Sequence, residues 1–409
     1  MLKLGGSLLE KLLTLDTGHR GPRVACGHGH QAEFVNYRTK TLDTVLGPIQ
    51  VRRAWYHCAE CGHGLAPRDQ ELDVAGGSLS PGLRRMMARV GSQEPFAQGH
   101  RDLAELASIQ VTAKRVERSA EKTGTQVRAA AEAEAEALLS HQVIPLSAAD
   151  PPATLYVTID GTGVPMIPRE TEGRRGKGDD GRAHTREVKL GCLFTQTSVD
   201  DQGRPVRDPA SSTYVSTFES CERFGALVYA EARRRGVEGA GRVVVLGDGA
   251  VWIWNLAAEH FPRAIEIVDL YHAREHLSAL ARLDLSLPDD LPTWLAARVA
   301  ELDRGDLDAM IGAVRARPGA GADAVGKALA YFETNRHRMR YGLFRQLGLF
   351  VGSGSVEAGC RAVIGQRLKL SGMRWSLRGA SSIASLRCHS ASGRWDDIWK
   401  WLHTQTISA

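Results

Sequence analysis

Short apolar runs punctuate the middle of the chain. Residues 154–160, 187–195, 213–218, 242–247 and 264–268 are each apolar or alternating and bounded by turn-forming residues, which predicts five strands. Helical spacing predicts helices over 220–235, with Ser220 as cap, and over 250–260. Upstream, Ala32 to Tyr37 and Ile49 to Tyr56 predict a hairpin that turns around Gly47-Pro48. Residues 80–140 read as helical, the strand-like Ile109-Gln110-Val111 excepted, with an Ala- and Glu-rich solvated helix over Val127 to Leu139. Downstream, 272–345 lacks strand patterns, and Leu291 to Ala300 and Leu307 to Val314 predict an all-helical stretch.

Three strands, a helix, a strand, a helix and a strand follow the order of a ribonuclease-H-like core. Pro151-Pro152 within Ser147 to Ala153 marks a linker in front of it. The charged, Gly-rich stretch 168–186 predicts a mobile loop between the first two strands.

Composition changes this picture little. The 409 residues suffice for two or three domains, and 52 Lys+Arg against 47 Asp+Glu leaves a net charge of +5, which permits a nucleic-acid partner. The distribution says more, because Arg174, Arg175, Lys177, Arg182 and Arg186 crowd one segment and Arg361, Arg367, Lys369, Arg374 and Arg378 another. No run approaches the ~20 apolar residues of a membrane span, and Met1 to Leu15 lacks a signal-peptide core, so a cytoplasmic protein is expected. Seven cysteines, with Cys58 and Cys61 as the close pair, fit a metal site in a reducing compartment better than a disulfide framework.

Candidate chemistry lies in three places. Asp160 ends the run Leu155 to Ile159, and Asp248 ends Val243 to Leu246; each precedes a glycine. Glu357 stands in the Gly/Ser-rich segment 352–358, at the opening of a helix. Each Asp-Gly alone reads as a turn; together the three carboxylates form a hard oxygen set for two magnesium or manganese ions. Around the hairpin, Cys58-Ala-Glu-Cys61 supplies half of a zinc site and Cys26-Gly-His28 the other half, with His30 and His63 competing for the fourth position. That zinc is expected to be structural. Asp102 to Ala107, a turn over Ser108 to Val111, and a helix from Ala113 predict a helix-turn-helix, whose Lys114, Arg115, Arg118 and Lys122 face DNA. An ordinary helical hairpin with a solvated basic face has the same pattern. Trp375 reads as a core residue rather than a base-stacking one.

Several motifs together resemble one family. They are Leu155-Tyr-Val-Thr-Ile-Asp160-Gly-Thr-Gly-Val-Pro165, Val245-Leu-Gly-Asp248-Gly-Ala250, Ile267-Val-Asp269-Leu-Tyr-His272-Ala273 and Gly352-Ser-Gly-Ser-Val-Glu357-Ala358, the last followed by Arg367-Leu-Lys369-Leu-Ser-Gly-Met-Arg374-Trp375. As an ordered set, from about Gly18 to Trp401, they resemble the DDE transposases of the ISKra-four insertion-sequence family. In that family the first zinc half reads Cys-x-Cys, where this chain has His28.

The resemblance implies an α/β multidomain chain. Its parts are a zinc-ribbon-like module at 1–75, a helical DNA-binding region at 76–150, a ribonuclease-H-like core at 151–275, a helical insertion at 276–345 and the core's C-terminal helices at 346–409. It implies Asp160, Asp248 and Glu357 as catalytic ligands of two magnesium or manganese ions, with Asp269 and His272 assisting. It implies cleavage and strand transfer on double-stranded DNA, at element ends and target, by a homodimer or larger oligomer. DNA contacts are expected at Lys114, Arg115, Arg118, Lys122, Arg174, Arg175, Lys177, Arg367, Lys369 and Arg374. Alternative readings are a nuclease of the same core without strand transfer, and a domesticated DNA-binding protein.

Overall fold

The computed structural model describes residues 2–140, 150–176, 180–283 and 291–408, in two compact units. The first unit comprises Met1–Val127 together with Arg394–Ala409, and the second Arg128–Gly393. The sequence boundaries differ from these in two ways. The β module and the helical region share one unit, and the helix Trp395–Ser408, expected with the core, belongs to that same first unit.

In the first unit, helix α1 (Leu2–Leu15) precedes a four-stranded antiparallel sheet of β1 (Arg23–Ala25), β2 (Gln31–Thr44), β3 (Gly47–His57) and β4 (Gly64–Leu65). The hairpin is longer than its apolar runs indicate. The polar stretch Arg38 to Thr44 continues β2, because β3 offers it a full ladder down to Thr44↔Gly47. The turn therefore falls on Val45-Leu46, and Gly47, at φ +101°, opens β3 in a backbone region that favours glycine. Leu42, Ile49, Val51 and Val74 make one small core, which Leu9 and Leu13 of α1 cover. That packing explains a helix not anticipated from a segment containing Gly5 and Gly6. On the same face, Asp69 is buried in α2 (Pro67–Glu71), 2.9 Å from Lys40 Nζ and 2.7 Å from Arg53 Nε.

Helices α3 (Pro81–Gln93), α4 (Phe96–Ala107) and α5 (Ala113–Leu139) follow. Ser80 caps α3 by accepting from the Leu83 N–H, and Pro81 occupies the first turn. Ser108, left-handed at φ 56°, ends α4. Leu83, Met87, Leu103, Ile109 and Val116 form their shared core. Ile109 is thus a buried plug in the turn, not a strand. The two helices expected over 113–122 and 127–139 are one helix, which tolerates Gly124 in its middle.

The second unit is built on a five-stranded sheet in the order β11-β10-β5-β6-β9. Its strands are β5 (Thr154–Pro165), β6 (Thr185–Gln196), β9 (Thr213–Thr217), β10 (Arg242–Gly247) and β11 (Ile265–Val268); β7 (Ser198–Val199) and β8 (Pro205–Val206) form a separate small ribbon. β5, β6 and β9 are antiparallel neighbours, while β10 and β11 run parallel to β5. All five expected strands are present within a few residues, because continuous burial of Leu155 to Ile159 and Val244 to Leu246 leaves few alternatives. Helices α6 (Cys221–Arg234), capped by Ser220, and α7 (Val251–His260) connect the strands as expected.

Helix α8 (Leu270–Ala281) leads to α9 (Leu291–Arg304), α10 (Leu307–Arg315), α11 (Asp323–Thr334) and α12 (Tyr341–Gln346), the anticipated helical stretch. The chain returns through α13 (Gly354–Gly359), a π-helical turn (Cys360–Gly365), α14 (Gln366–Leu368) and α15 (Leu377–Ala391). No helix among the described residues is long and apolar enough to cross a membrane.

The Asp69 cluster generates a stability prediction. Asp69→Ala leaves two largely buried cations without their counter-charge and is expected to cost about 3 kcal/mol, read as a lower denaturant midpoint of the full chain.

Candidate functional site

Leu246 pairs with Thr158 across the parallel β10 and β5. Asp248 follows the last residue of β10 and Asp160 lies two residues beyond Thr158 on β5, so both stand at the same end of neighbouring strands. Asp160 does not end its strand, as the apolar run implied; β5 continues to Pro165, held by β6 alone, with Asp160 opposite Leu190. What ends beside Asp160 is β10, and this opens the space next to it. Both carboxylates are half-buried. Asp160 Oδ1 accepts from the Gly161 N–H at 2.7 Å and Asp248 Oδ1 from the Ala250 N–H at 2.9 Å.

The helix carrying Glu357 covers the same face. Thr158 Oγ1 lies 3.4 Å from Ser355 Oγ, and alternation along a strand puts Asp160 on the side of Thr158. Cys360, one turn after Glu357, adjoins Asp160: burial, then the Asp160 charge, pushes its thiol pKa up. Glu357 is exposed, and its Oε1 accepts from Ser353 Oγ at 3.1 Å. The π-helical turn follows directly, a distortion that is frequent at functional sites. Among the described residues, none of these three carboxylates has a Lys, Arg or His within ion-pairing distance, although most acids of the chain do. Carboxylates are the ligands that hard cations take, and among the described residues these three are not gathered as tightly as the Cys/His cluster of the first unit.

Asp269 and His272 have different roles. Asp269 is fully buried and caps α8, accepting from the His272 N–H at 2.8 Å with one oxygen and from the Ser353 N–H with the other. Its own N–H donates to the Gly247 carbonyl. Asp269, expected to assist at the site, has both oxygens engaged inside the fold. His272 is half-exposed, its Nδ1 3.5 Å from Glu275. Two further residues, for which the sequence carried no signal, reach the site. Tyr331 of α11 donates its hydroxyl to the Asp248 main-chain carbonyl at 3.0 Å, and His276 stacks on its ring at 3.9 Å. Burial, then the Asp248 charge, pushes the Tyr331 phenol pKa up.

The first unit holds a separate Cys/His cluster. The ligand atoms of Cys26, His30, Cys58 and Cys61 all lie within 4.8 Å of one another, and no other His/Cys/Asp/Glu group among the described residues is gathered so tightly. The fourth member is His30, not His28. His28 stands outside the set, its Nδ1 3.9 Å from Cys61 Sγ. The physical reason is the hairpin: His30 immediately precedes β2, and its carbonyl accepts the Cys26 N–H at 3.0 Å, which closes a tight loop that turns the His30 ring inward. His30 Nδ1 is buried without a hydrogen-bond partner, while Nε2 lies 3.6 Å from Glu60 Oε2. The His28 N–H, ahead of other main-chain and thiol hydrogen bonds, holds the Cys26 thiol down at about 6, which favours the thiolate a metal requires. The cluster is compatible with a structural metal.

The expected DNA-contacting residues are dispersed. Lys114 pairs with Glu117, and Arg115 with Asp43, which makes Arg115 a clamp on the β2–β3 hairpin; Arg118 and Lys122 are exposed. Arg174 and Arg175 are exposed, and Lys177 lies outside the described residues. Arg367 is fully buried, 4.9 Å over the Trp375 ring, and is corrected from a DNA contact to a core residue. Trp375 is itself buried, donating to the Leu368 carbonyl at 3.0 Å. Lys369 reaches Thr162 Oγ1 on β5, and Arg374 lines a cleft with Arg169, Arg174, Arg182 and His184. No protein-family model matches this sequence, and no curated protein matches it.

The two histidines separate in a binding experiment. His30→Ala is expected to release the metal from the Cys/His cluster, and His28→Ala to retain it, by elemental analysis of the purified chain. Equal metal content in both variants refutes the assignment of His30.

Proposed function

We propose that this chain is a DDE-type transposase, cleaving and joining DNA with divalent metal ions on a ribonuclease-H-like core. The observation that carries this reading is the pair Asp160 and Asp248 at the same end of neighbouring parallel strands, with Glu357 on the helix whose Ser355 meets Thr158 and, among the described residues, no ion-pair partner for any of the three. The sheet order supports it: three antiparallel strands followed by two parallel ones match the core expected of such enzymes. The helical stretch between β11 and Glu357 also stands where the resemblance puts an insertion.

Asp160, Asp248 and Glu357 would hold magnesium or manganese, which when bound supplies nucleophile activation and charge neutralisation at phosphorus. The chain's own groups do the rest. The Gly161 and Ala250 N–H groups each take one oxygen of an Asp, leaving the second oxygen to the cation. Ser353 donates to Glu357 Oε1 and restrains that side chain. Lys369 and Arg374, at the rim, are placed to hold backbone phosphates, with the salt dependence this brings. In the first unit, the softer set of Cys26, His30, Cys58 and Cys61 suits zinc, with sulfur at about 2.3 Å and nitrogen at about 2.0 Å from the ion. Its role there is structural.

Asp248→Asn nearly preserves size and removes the charge. Cleavage of end-containing duplex DNA in magnesium is expected to fall at least ~100-fold, while DNA binding persists and the circular dichroism spectrum is unchanged. Near wild-type cleavage by this variant refutes the reading, and DNA binding without cleavage by the wild type favours a DNA-binding protein. Cleavage without joined products in the wild type identifies a nuclease lacking strand transfer.

A further inference from the structure

The helical stretch reaches Asp248 through a specific contact. Tyr331 comes from the last turn of α11, and its hydroxyl donates to the main-chain carbonyl of Asp248 itself. The next residue, Gly249, has φ +98°, and a Cβ there would stand 2.7 Å from the Tyr331 ring. The ring therefore lies directly against the peptide that follows Asp248. On its other side the ring is stacked by His276 of α8, at 3.9 Å and 18°. Tyr331 is thus held between a catalytic-site peptide and a helix whose first residue is anchored by Asp269. Asp248 uses one oxygen on the Ala250 N–H two residues on, so the orientation of the 248–249 peptide sets where the other oxygen points.

We propose that Tyr331 is a positioning residue for Asp248, through which the inserted helices set the affinity of the acidic face for its divalent cation. This rests on the reading of Asp248 as a metal ligand. The ring supplies the stop against which the glycine turn closes, and the hydroxyl fixes the rotation of the peptide. Removing the hydroxyl alone frees that rotation while keeping the ring, its stack and the packing of α11.

The test is manganese binding to the full-length protein by calorimetry, without DNA, for wild type, Asp248→Asn and Tyr331→Phe. Wild type is expected to bind manganese and Asp248→Asn to lose that binding. Tyr331→Phe is expected to weaken it about five-fold, the size of one hydrogen bond, with the thermal unfolding midpoint unchanged. In cleavage assays the same variant is expected to need correspondingly more metal for half-maximal rate and to approach the wild-type rate at saturation. Wild-type manganese affinity in Tyr331→Phe overturns the inference and leaves the proposed function standing. Manganese binding unaffected by Asp248→Asn overturns both, because Asp248 is then no ligand. A loss of thermal stability in Tyr331→Phe equal to that of Tyr331→Ala, with unchanged metal affinity, assigns the tyrosine to packing alone and also overturns the inference.

Discussion

The second unit depends on one buried carboxylate. Asp269 is fully enclosed, and an enclosed carboxylate without partners costs several kcal/mol. Here it is surrounded by main-chain N–H groups, one at the start of α8 and one at Ser353, while its own N–H closes on the end of β10. Three segments distant in sequence therefore meet at one residue: the strand leading to Asp248, the helix leading to the inserted stretch, and the loop leading to Glu357. Ser353 then passes the constraint to Glu357 through its hydroxyl. A neutral residue at 269 could cap α8 or meet Ser353; a carboxylate, with two acceptor oxygens, does both.

The parts of this architecture that were legible in the sequence are those with strong periodicity and strong burial. The five strands of the second unit, the Ser220 cap and the helical stretch follow from local pattern, since buried parallel strands leave a continuous apolar signature. Where the outcome depends on a partner distant in sequence, local reading falls short. The polar half of β2 becomes strand only because β3 is there to pair with it. Helix α1 holds two glycines and is stabilised by Leu9 and Leu13 against a sheet formed later in the chain. Asp160 looked like a strand end because apolar character stops there, yet an antiparallel neighbour carries the strand onward.

The candidate sites show the same division. The residue types were readable: three carboxylates in turn-like contexts, and cysteines with metal-ligand spacing. The choice between His28 and His30 was not, because it turns on which ring faces the cluster, and spacing alone is silent on that. Arg367 is the converse case. Its charge placed it among the basic rim residues, but its guanidinium stacks on Trp375 inside the fold, an arrangement arginine tolerates better than lysine because its charge is delocalised and weakly hydrated. Tyr331 had no local signal, since its importance lies in a carbonyl 83 residues away in sequence.

Charge pairing marks several acids that hold elements of this protein together. Asp69, Asp73, Asp303 and Glu266 each sit against an arginine and hold elements together. Asp269, buried, substitutes main-chain N–H groups for a cation. Asp160, Asp248 and Glu357 each have a hydrogen bond that orients them, and no ion-pair partner among the described residues. Under the proposed reading the positive charge these acids lack would arrive with the metal, which is why acids without a cation partner, rather than the most conspicuous motif, point to the proposed function.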